Sequence, residues 1–592
     1  MTESNLNRID RWVSWLVGAV TILLLIYVVH GFGPRFFSET CTHNDLRQQG
    51  FPFYRANHPE MFSNDLVFES MNGYLPPLHS ALGLLFTYLT DNPVITGHIL
   101  MSLQLLLTII GIFGALRVVT GFVPACVGVA LFLNAAPLVL LLSGGLARGW
   151  IGPVIAIYLW LIVAARRRGV GVRAEGSVWC WLVVAALLNP VATFIILSME
   201  SLRSVARFIA SRARQEFFRF SMLPFGGVAL AVVITTSLIT ARPPAIGNMA
   251  TLAVASNLQG FSRPGGRFAV LPFPEPWVEF KTLALQLFTG FWSDLSDGKQ
   301  RLVEPLLFAA ILAMIAATLV RWRAGRKFSE IVVPEFLGFG CVVLGCYFLA
   351  RQVAFNLYIP DRYFGMPAGI FFALSVPSFL WLVSPTAGRV SSGGIRDLGF
   401  RYGAQLMLVF ATFSFGGFGP RGPELFDVCY QRQEALWDFL KLKTFSDAVI
   451  AGHPTTLDGV QLFGRRIGYI TTETAHPFYD RYYAEVKRRM EVTFSAHYAR
   501  DWRGFHTLLS REGIDYFVFR VGDFAPERLH RERYEIPFQN MIRRLNNFPR
   551  EEFVFSSLPG VIYAEPHPYQ VLRTNNVAVV DVAALGRWLG TK

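Results

Sequence analysis

Apolar stretches long enough to cross a lipid bilayer recur along this chain of 592 residues and constrain its fold more than any other feature. The hydrocarbon core of a bilayer is about 30 Å thick, and an α-helix rises about 1.5 Å per residue, so about 20 apolar residues span it. The first such stretch is Trp12–His30, and later ones include Pro93–Leu116 and Phe364–Val383. The sequence therefore predicts a polytopic α-helical membrane protein with about 9–11 membrane helices.

The composition agrees with a membrane protein and argues against a nucleic-acid partner. Only 16% of the residues are charged and 53% are hydrophobic, with a mean hydropathy of +0.39, whereas about a quarter of the residues of soluble domains are charged. The net charge of +13 comes from arginines that lie between the apolar stretches. In that position they set the orientation of the helices and meet anionic headgroups, so we expect membrane lipids as partners.

The arginine pattern predicts which side of the membrane each segment occupies. Arg8 and Arg11 precede the first apolar stretch, so the N-terminus should be cytoplasmic. Residues 31–91 then form a first outer loop, and residues 241–301 form a second. We predict a membrane domain over residues 1–418 and an extracytoplasmic domain over residues 419–592.

Two segments of the membrane domain need a special interpretation. Ser177–Glu200 could cross once, but arginines follow it, and a single crossing would place them outside. Because Asn189-Pro190 interrupts the helix at its middle, we predict a hairpin that enters and returns. Leu75–Thr90 is apolar but contains prolines, and we predict a helix that lies at the interface or dips into the bundle.

The C-terminal region alternates helical and strand patterns and predicts a small α/β domain. Helices are predicted at Glu434–Lys443 and His476–Arg500, and strands at Asp447–Ala451, Ile514–Arg520 and within Glu552–Ala564. Two cysteines, Cys41 and Cys429, both fall on the predicted outer side. They could pair, although sequence alone does not fix their distance.

Two aspartates of the first outer loop are candidate catalytic residues. Asp65 ends the run His58-Pro-Glu-Met-Phe-Ser-Asn-Asp65, and Asp45 follows Asn44 earlier in the loop. A carboxylate at the mouth of a membrane cavity can accept the proton of an attacking hydroxyl, and burial would bring its pKa closer to the working pH. The alternative for Asp65 is helix capping or a turn, because Asn-Asp is good capping chemistry.

Basic and aromatic residues near a late span are candidate phosphate ligands. Asp361-Arg362-Tyr363 opens a membrane span from the outer side. A guanidinium binds phosphate through paired charge-assisted hydrogen bonds, so Arg362, with Tyr363, could bind a lipid phosphate. Arg351 and Arg148 are weaker candidates for the same phosphate. Alternatively, Arg362 and Tyr363 only anchor the helix at the interface.

Other residues of the first loop are candidate supporting groups, and several familiar sites are missing from the sequence. His58, Glu60 and His79 lie in or beside this loop. The sequence contains no His-Glu-x-x-His or Cys-x-x-Cys zinc pattern, no phosphate-binding Gly-x-x-x-x-Gly-Lys-Ser/Thr loop and no Gly-x-Ser-x-Gly motif. A dedicated zinc site, a nucleotide-driven pump and a serine hydrolase therefore have no support.

The pattern resembles the GT-C superfamily of integral-membrane glycosyltransferases, which includes oligosaccharyltransferases, protein mannosyltransferases and bacterial aminoarabinose transferases. The segments that carry the resemblance are Tyr54–Asp65, Asp361–Tyr363 and the C-terminal run from Asp447 to Val518. The resemblance implies a GT-C-like bundle in a bacterial inner membrane and inverting transfer of a sugar from a polyprenyl-phosphate donor. It also implies a first-loop aspartate as base and an outer arginine as phosphate ligand. The chain lacks the Asp-Glu pair of mannosyltransferases and the Trp-Trp-Asp-type motif of oligosaccharyltransferases, so the acceptor (glycan, lipid or protein) is not identified.

Three functions are therefore weighed: a glycosyltransferase, a transporter or lipid flippase, and a non-catalytic scaffold. The chain shows no half-to-half repeat and few charges inside the spans, which disfavours a transporter. No cofactor is required by the pattern, and a divalent metal is left open. An enzyme should bring Asp65 or Asp45 within roughly 10 Å of Arg362 around an outward cavity, because catalytic groups converge on one reacting centre.

Overall fold

The structure of the protein is a computed structural model that describes most of the chain. The described residues are 3–63, 65–168, 172–210, 246–258, 260–261, 327–357, 359–383, 402–408, 428–430, 433–531, 538–558 and 567–591, with isolated positions at 230, 233, 273, 275–279, 281–282, 312, 315–323, 325 and 534. The predicted domain boundary at 418 and most of the predicted second outer loop lie outside these residues.

Helices dominate the first part of the chain and alternate with strands in the last part. In chain order the α-helices are α1 Glu3–Phe32, α2 Leu46–Gln49, α3 Leu66–Asn72, α4 Pro77–Thr90, α5 Pro93–Val119, α6 Phe122–Asn134, α7 Ala136–Leu140, α8 Ile151–Arg168, α9 Val172–Leu188, α10 Pro190–Ala210, α11 Leu252–Asn257, α12 Phe328–Ile331, α13 Pro334–Gln352, α14 Gly365–Val383, α15 Glu434–Lys443, α16 Asp480–His497, α17 Trp502–Arg511, α18 Pro526–Leu529, α19 Phe538–Leu545 and α20 Val582–Gly590.

The strands form two sheets. They are β1 Cys41–Thr42, β2 Val428–Cys429, β3 Val449–Gly452, β4 Ile467–Gly468, β5 Tyr516–Arg520, β6 Gln570–Arg573 and β7 Val577–Asp581. The C-terminal sheet has the order β4-β3-β5-β7-β6, in which β3 is parallel to β4 and β5 while β7 is antiparallel to β5 and β6. β5 is buried along most of its length, as expected for a strand at the centre of a covered sheet.

The predicted fold class is confirmed: a polytopic helical membrane bundle is followed by a C-terminal α/β domain. Among the described residues, five helical segments are long and apolar enough to cross a membrane, or up to six if the bent pair α6 and α7 counts as one span. The five are Arg11–His30, Pro93–Val119, Ala147–Arg167, Pro334–Gln352 and Pro360–Val383. The other segments that were counted in the predicted total of 9–11 spans lie partly outside the described residues.

The hairpin predicted within Ser177–Glu200 is confirmed, and it is longer than expected. The break falls at Asn189, whose side-chain amide donates to the carbonyl of Ala147 near the start of α8, at 3.0 Å. Trp181 of α9 donates to the carbonyl of Val154 at 2.9 Å, and Tyr158 of α8 donates to Glu200 of α10 at 2.6 Å. These contacts show that α9 runs antiparallel to α8 and that α10 runs parallel to it, so the Asn189 turn lies at the Ala147 end.

The first outer loop folds into short helices and joins the core of the C-terminal domain. Its apolar residues, such as Phe51, Phe62 and Phe68, belong to the same buried cluster as Trp437, Phe494 and Phe517 of the C-terminal domain. A separate buried cluster fills the helical bundle. The helix predicted at Leu75–Thr90 is present as α4, whose 14 residues are too few to span a bilayer.

A disulfide and a salt-bridge network tie the loop to the C-terminal domain. Cys41 and Cys429 form a disulfide where β1 pairs with β2. Arg47 lies 2.8 Å from Glu473 and 3.4 Å from Asp458, and all three side chains are largely buried. The position of the loop therefore depends on contacts with residues more than 380 positions away in the chain.

Most C-terminal elements agree with the sequence, but one strand does not. α15 has the predicted bounds, and β3, α16 and β5 begin two to four residues later than predicted. The strand predicted within Glu552–Ala564 is wrong over its described part, where Arg550–Glu552 and Val554–Ser557 are 3-10 turns. The rings of Phe553 and Phe555 pack on Phe524, so the apolar alternation in this segment reflects core packing.

Candidate active site

Asp45 of the first outer loop forms an ion pair with Arg148, which lies in the 3-10 turn Ala147–Trp150 before α8. Asp45 is the N-cap residue of α2, yet its side chain makes no capping hydrogen bond. It contacts the guanidinium of Arg148 instead, and the side chains of Asp45 and Arg148 are 26% and 17% exposed. His43 lies beside this pair, with Nε2 3.3 Å from Nη2 of Arg148. The carboxylate is thus held in place while part of it still faces solvent.

The turn that carries Arg148 is held by amide side chains from three different elements. Gln104 of α5 donates to the carbonyl of Leu146 at 3.0 Å, and Asn189 donates to the carbonyl of Ala147 at 3.0 Å. Gln49 of α2 accepts from the backbone N–H of Ala147 at 3.4 Å. Gly144 precedes them with a φ of 76°, a conformation that favours glycine. These contacts fix the backbone from which the arginine projects.

Arg362 of the late span acts electrostatically on Asp45. Burial raises the pKa of Asp45, but the charges of Arg148, His43 and Arg362 outweigh it, so the pKa lies below its usual value. In a partly solvated setting, charges act on each other mainly within about one Debye length, roughly 8 Å at physiological ionic strength. Arg362 therefore lies close enough to act on the charge of Asp45, although 317 positions separate the two residues in the sequence.

A second group of charges adjoins Arg362. Arg351 of α13 donates to the hydroxyl of Tyr347 at 2.6 Å, and this hydroxyl contacts Glu279. Burial raises the pKa of Glu279, and the charge of Asp361 raises it further, while Tyr347 and Arg351 act in the opposite direction. Asp361 and Arg362 are consecutive, so the two charge groups join into one cluster around the start of the late span.

Asp65 has a different environment from Asp45. Its carboxylate caps α3 by accepting from the backbone N–H groups of Val67 at 3.1 Å and Phe68 at 3.3 Å, and the residue is only 4% exposed. Burial raises the pKa of Asp65 to about 6, while its capping hydrogen bonds and the charge of Arg489 of the C-terminal domain act in the opposite direction. The capping interpretation of Asp65 is thus confirmed, and its role as a base stays a prediction.

The remaining predicted residues lie in or near this region in different ways. Tyr363 is 3% exposed and packs edge-to-face against Phe194, within the bundle core. His79 is buried and accepts at Nδ1 from the indole N–H of Trp150, two residues beyond Arg148, at 3.0 Å. Glu60 is exposed and His58 is partly exposed, and their side chains lie 3.7 Å apart. Of these residues, His79 is the one that contacts the Arg148 segment directly.

Two residues of the cluster were not singled out from the sequence. His43 is one of three consecutive polar residues, His43-Asn44-Asp45, and this run was the available signal. Glu279 stands in an aromatic and proline-rich stretch of the second outer loop, where a single acid is no stronger a signal than its neighbour Glu275. Neither position could be connected to Arg148 or Arg351 without knowing how the helices pack.

The residues of the cluster do not fit a metal site. Within the described part of the chain, no group of three or more His, Cys, Asp and Glu side chains is arranged to hold a metal ion. Arg148 neutralises the carboxylate of Asp45, and the carboxylate of Glu279 contacts the hydroxyl of Tyr347. These two acidic groups, which a divalent cation would need as ligands, are therefore already engaged with other partners.

Comparison with known proteins finds similarity in structure only. No protein-family model and no curated protein matches the chain. The chain is similar to crystal structures of the Archaeoglobus fulgidus oligosaccharyltransferase with Zn and sulfate (12% identity, TM-score 0.46, 87% of this chain and 69% of that one) and of ArnT from Cupriavidus metallidurans in the apo state (13%, 0.49, 96% and 98%). It is also similar to that ArnT bound to undecaprenyl phosphate (14%, 0.42, 97% and 99%). Likenesses at these scores assign no activity to this chain.

Proposed function

We propose that this protein is a membrane glycosyltransferase that transfers a sugar from a polyprenyl-phosphate-linked donor to an acceptor on the outer face of a bacterial inner membrane. The observation that carries the proposal is the partly exposed ion pair of Asp45 with Arg148, beside which the charge of Arg362 also acts on the carboxyl of Asp45. A carboxylate of the first loop and a guanidinium of a late span are the two groups that this chemistry requires.

Asp45 is proposed as the general base. Its side chain is partly exposed and is not used for capping, whereas Asp65 is buried and caps α3. The hydroxyl of the acceptor would lose its proton to Asp45 while its oxygen attacks the anomeric carbon. The bond between that carbon and the phosphate oxygen would break, with inversion of the anomeric centre.

Arg362 is proposed to stabilise the leaving polyprenyl phosphate. Negative charge grows on the phosphate oxygens as the glycosidic bond breaks, and a preorganised guanidinium lowers the energy of that charge. Arg351 could share this role, since its contact with Tyr347 keeps it close to Glu279 and Asp361. Arg148 is proposed to hold Asp45 in its ionised form and in a fixed orientation.

The location of the site supports transfer on the outer face. The disulfide between Cys41 and Cys429 borders the first loop, and disulfides persist in oxidising compartments such as the periplasm. The carrier would present the sugar at the headgroup level, so no nucleotide sugar would need to enter. The acceptor and the donor sugar are left to experiment.

The test is a comparison of lipid-linked sugars in cells with and without the protein. We expect a polyprenyl-phosphate sugar to accumulate when the protein is absent and to return to its normal level with the wild-type chain. Asp45→Asn and Arg362→Gln should fail to restore it, because loss of a general base costs about 10²–10⁴-fold in rate. Mass spectrometry of extracted lipids measures this.

The matched control is Glu69→Gln, which neutralises an exposed carboxylate of the same loop. It should restore the normal lipid profile, and folding of every variant is checked by monodispersity of the purified protein. Full restoration by Asp45→Asn would refute the assignment of the base. Movement of an unchanged lipid-linked sugar across the membrane, without transfer, would identify a flippase instead.

A further inference from the structure

A groove lies at the end of the bundle opposite the charge cluster, between α5 and α8. Its volume is about 670 Å³, and apolar side chains such as Ile110, Phe113 and Trp160 line it together with Arg117 and Arg167. α5 runs about 36 Å from Pro93, beside the first loop, to Arg117, at about 1.5 Å per residue. The groove therefore lies in the membrane leaflet on the side away from Asp45.

The apolar part of the groove continues as a stripe along α5. Leu106 and Ile110 are exposed, 53% and 40% respectively, and Phe113 follows them at helical spacing toward Arg117. Residues three or four apart lie on one helix face, so Leu106 to Arg117 form a track about 16 Å long. That length and the surface chemistry match one acyl chain lying along the helix with its headgroup at Arg117.

The base of the groove is formed where α5 and α8 pack closely against each other. A Cβ on Gly114 would lie 2.6 Å from the ring of Trp160, so glycine is what allows the indole to lie against α5. The groove is therefore a product of specific packing between α5 and α8. A larger residue at position 114 would push the indole into the space between them.

The polar end of the groove carries positive charge. Arg117 and Arg167 are both exposed, and Arg167 also donates to the carbonyl of Val118 at the end of α5. Within the described part of the chain, no carboxylate forms an ion pair with either of them, whereas the neighbouring Arg166 pairs with Glu335 at 2.7 Å. Two guanidiniums above an apolar groove are complementary to a lipid with a negatively charged headgroup.

We infer that this groove binds an anionic phospholipid, with the phosphodiester between Arg117 and Arg167 and an acyl chain along Leu106, Ile110 and Phe113. A zwitterionic lipid offers the same phosphate, but its amine offsets the attraction. Each basic residue near a membrane surface favours an anionic lipid by about fivefold, so two should favour it by roughly 30-fold. This inference does not depend on the proposed function.

The test is native mass spectrometry of the full-length protein titrated with phosphatidylglycerol or phosphatidylethanolamine. We expect phosphatidylglycerol to occupy one site at a concentration roughly 30-fold lower than phosphatidylethanolamine needs. The double variant Arg117→Gln/Arg167→Gln should abolish the preference. The control Arg321→Gln/Arg323→Gln removes the same charge from other arginines and should keep it.

The position of the lipid is tested by quenching of tryptophan fluorescence with brominated phosphatidylglycerol. Wild-type protein should lose more fluorescence than Trp160→Phe, and this difference should disappear with brominated phosphatidylethanolamine at the same concentration. Equal binding of the two lipids, an unchanged preference in the double variant, or equal competition by soluble glycerol phosphate would each overturn the inference.

Discussion

Asp45 and Asp65 have the same local sequence context and opposite environments. Each follows an asparagine and stands at the N-terminus of a short helix. Asp65 uses both carboxylate oxygens to cap its helix and is buried, so its pKa is raised to about 6. Asp45 instead lies among Arg148, His43 and Arg362, whose electrostatic effect lowers its pKa. The two carboxyls should therefore titrate in different pH ranges.

The pH dependence of transfer should distinguish the two candidate bases. Since the pKa of Asp45 lies below its ordinary value of 3.8, this base remains ionised at every pH from 5 to 8, and the rate should not fall in this range through its protonation. Asp65 as the base would give an acid limb near its pKa of about 6. The measurement is the pH profile of kcat/KM.

The variant Arg148→Gln extends this test. Removing the paired guanidinium should raise the pKa of Asp45 and move the acid limb to higher pH. Burial raises this pKa, and the variant removes a positive charge that lowers it. Arg503→Gln, an exposed position on α17, serves as the control and should leave the profile unchanged. An acid limb near pH 6 in the wild type would contradict the assignment to Asp45.

Asp65→Asn should stabilise the protein at neutral and alkaline pH. A folded-state pKa raised from 3.8 to about 6 means that stability declines as pH rises through this interval, since the ionised form is penalised by burial. Asparagine can still cap α3 and carries no charge. The gain should reach about 3 kcal/mol above pH 7 and vanish near pH 4.

Thermal unfolding of the purified protein at pH 4.5 and pH 8 measures this effect. The difference in apparent Tm between wild type and Asp65→Asn should be larger at pH 8. A lower Tm for the variant at pH 8, or a loss of transfer in a protein that remains folded, would show that Asp65 does more than cap the helix.

At the scale of elements, the short helix α2 connects the candidate site with the C-terminal domain. Arg47 of α2 is two residues from Asp45 and forms buried ion pairs with Asp458 and Glu473. Asn44 donates to the same Glu473 at 2.8 Å. The backbone on both sides of Asp45 is therefore held by the C-terminal domain, which explains how a distant domain can set the position of the proposed base.

Arg47→Met should strongly lower the stability of the protein, because it removes the contact between α2 and the C-terminal domain. It leaves two buried carboxylates without their cation, a change that typically costs about 3–5 kcal/mol. Arg503→Met, which removes an exposed arginine, should have little effect. Thermal unfolding and the rate of proteolytic release of the C-terminal domain measure the difference.

A triple variant tests whether the stability lost in Arg47→Met comes from uncompensated charge or from lost packing of the arginine side chain. Arg47→Met/Asp458→Asn/Glu473→Gln removes the stranded charges and should recover a large part of the lost stability. An equal loss in the single and triple variants would show that packing, and not uncompensated charge, is responsible.

At the scale of the whole molecule, the bundle has two chemically different ends. One end carries Asp45, Arg148, Arg351 and Arg362 next to the C-terminal domain, and the other carries the exposed arginines Arg117 and Arg167. Positively charged loops stay preferentially in the cytoplasm. The disulfide belongs to the first end. Both observations favour an extracytoplasmic C-terminal domain.

Cysteine labelling should report this orientation. In a protein whose exposed Cys180 and Cys341 are replaced by serine, Ser510→Cys of α17 should react with a membrane-impermeant maleimide in intact spheroplasts. Glu330→Cys of α12, near the end that carries Arg166, should react only after permeabilisation. The reverse labelling pattern would contradict the proposed orientation and, with it, transfer on the outer face.

The sequence by itself determined the features that depend on local physics. The length of the apolar stretches predicted the membrane helices, and proline predicted the break at Asn189-Pro190. Local residue patterns predicted the bounds of α15 and the presence of the central strand β5. It also placed both aspartates in one polar loop. These properties depend on residues that are close together in the chain, so the sequence was sufficient to predict them.

Only the tertiary structure decided which aspartate meets the arginines. The local sequence predicts the same capping role for Asp45 and Asp65. They differ because Arg148, 103 positions after Asp45 in the chain, contacts Asp45 and not Asp65. The same holds for Arg362 and Glu279, which helix packing brings to the cluster. The strength of an electrostatic interaction depends on the distance between the two charges in space, and the packing of the helices determines that distance.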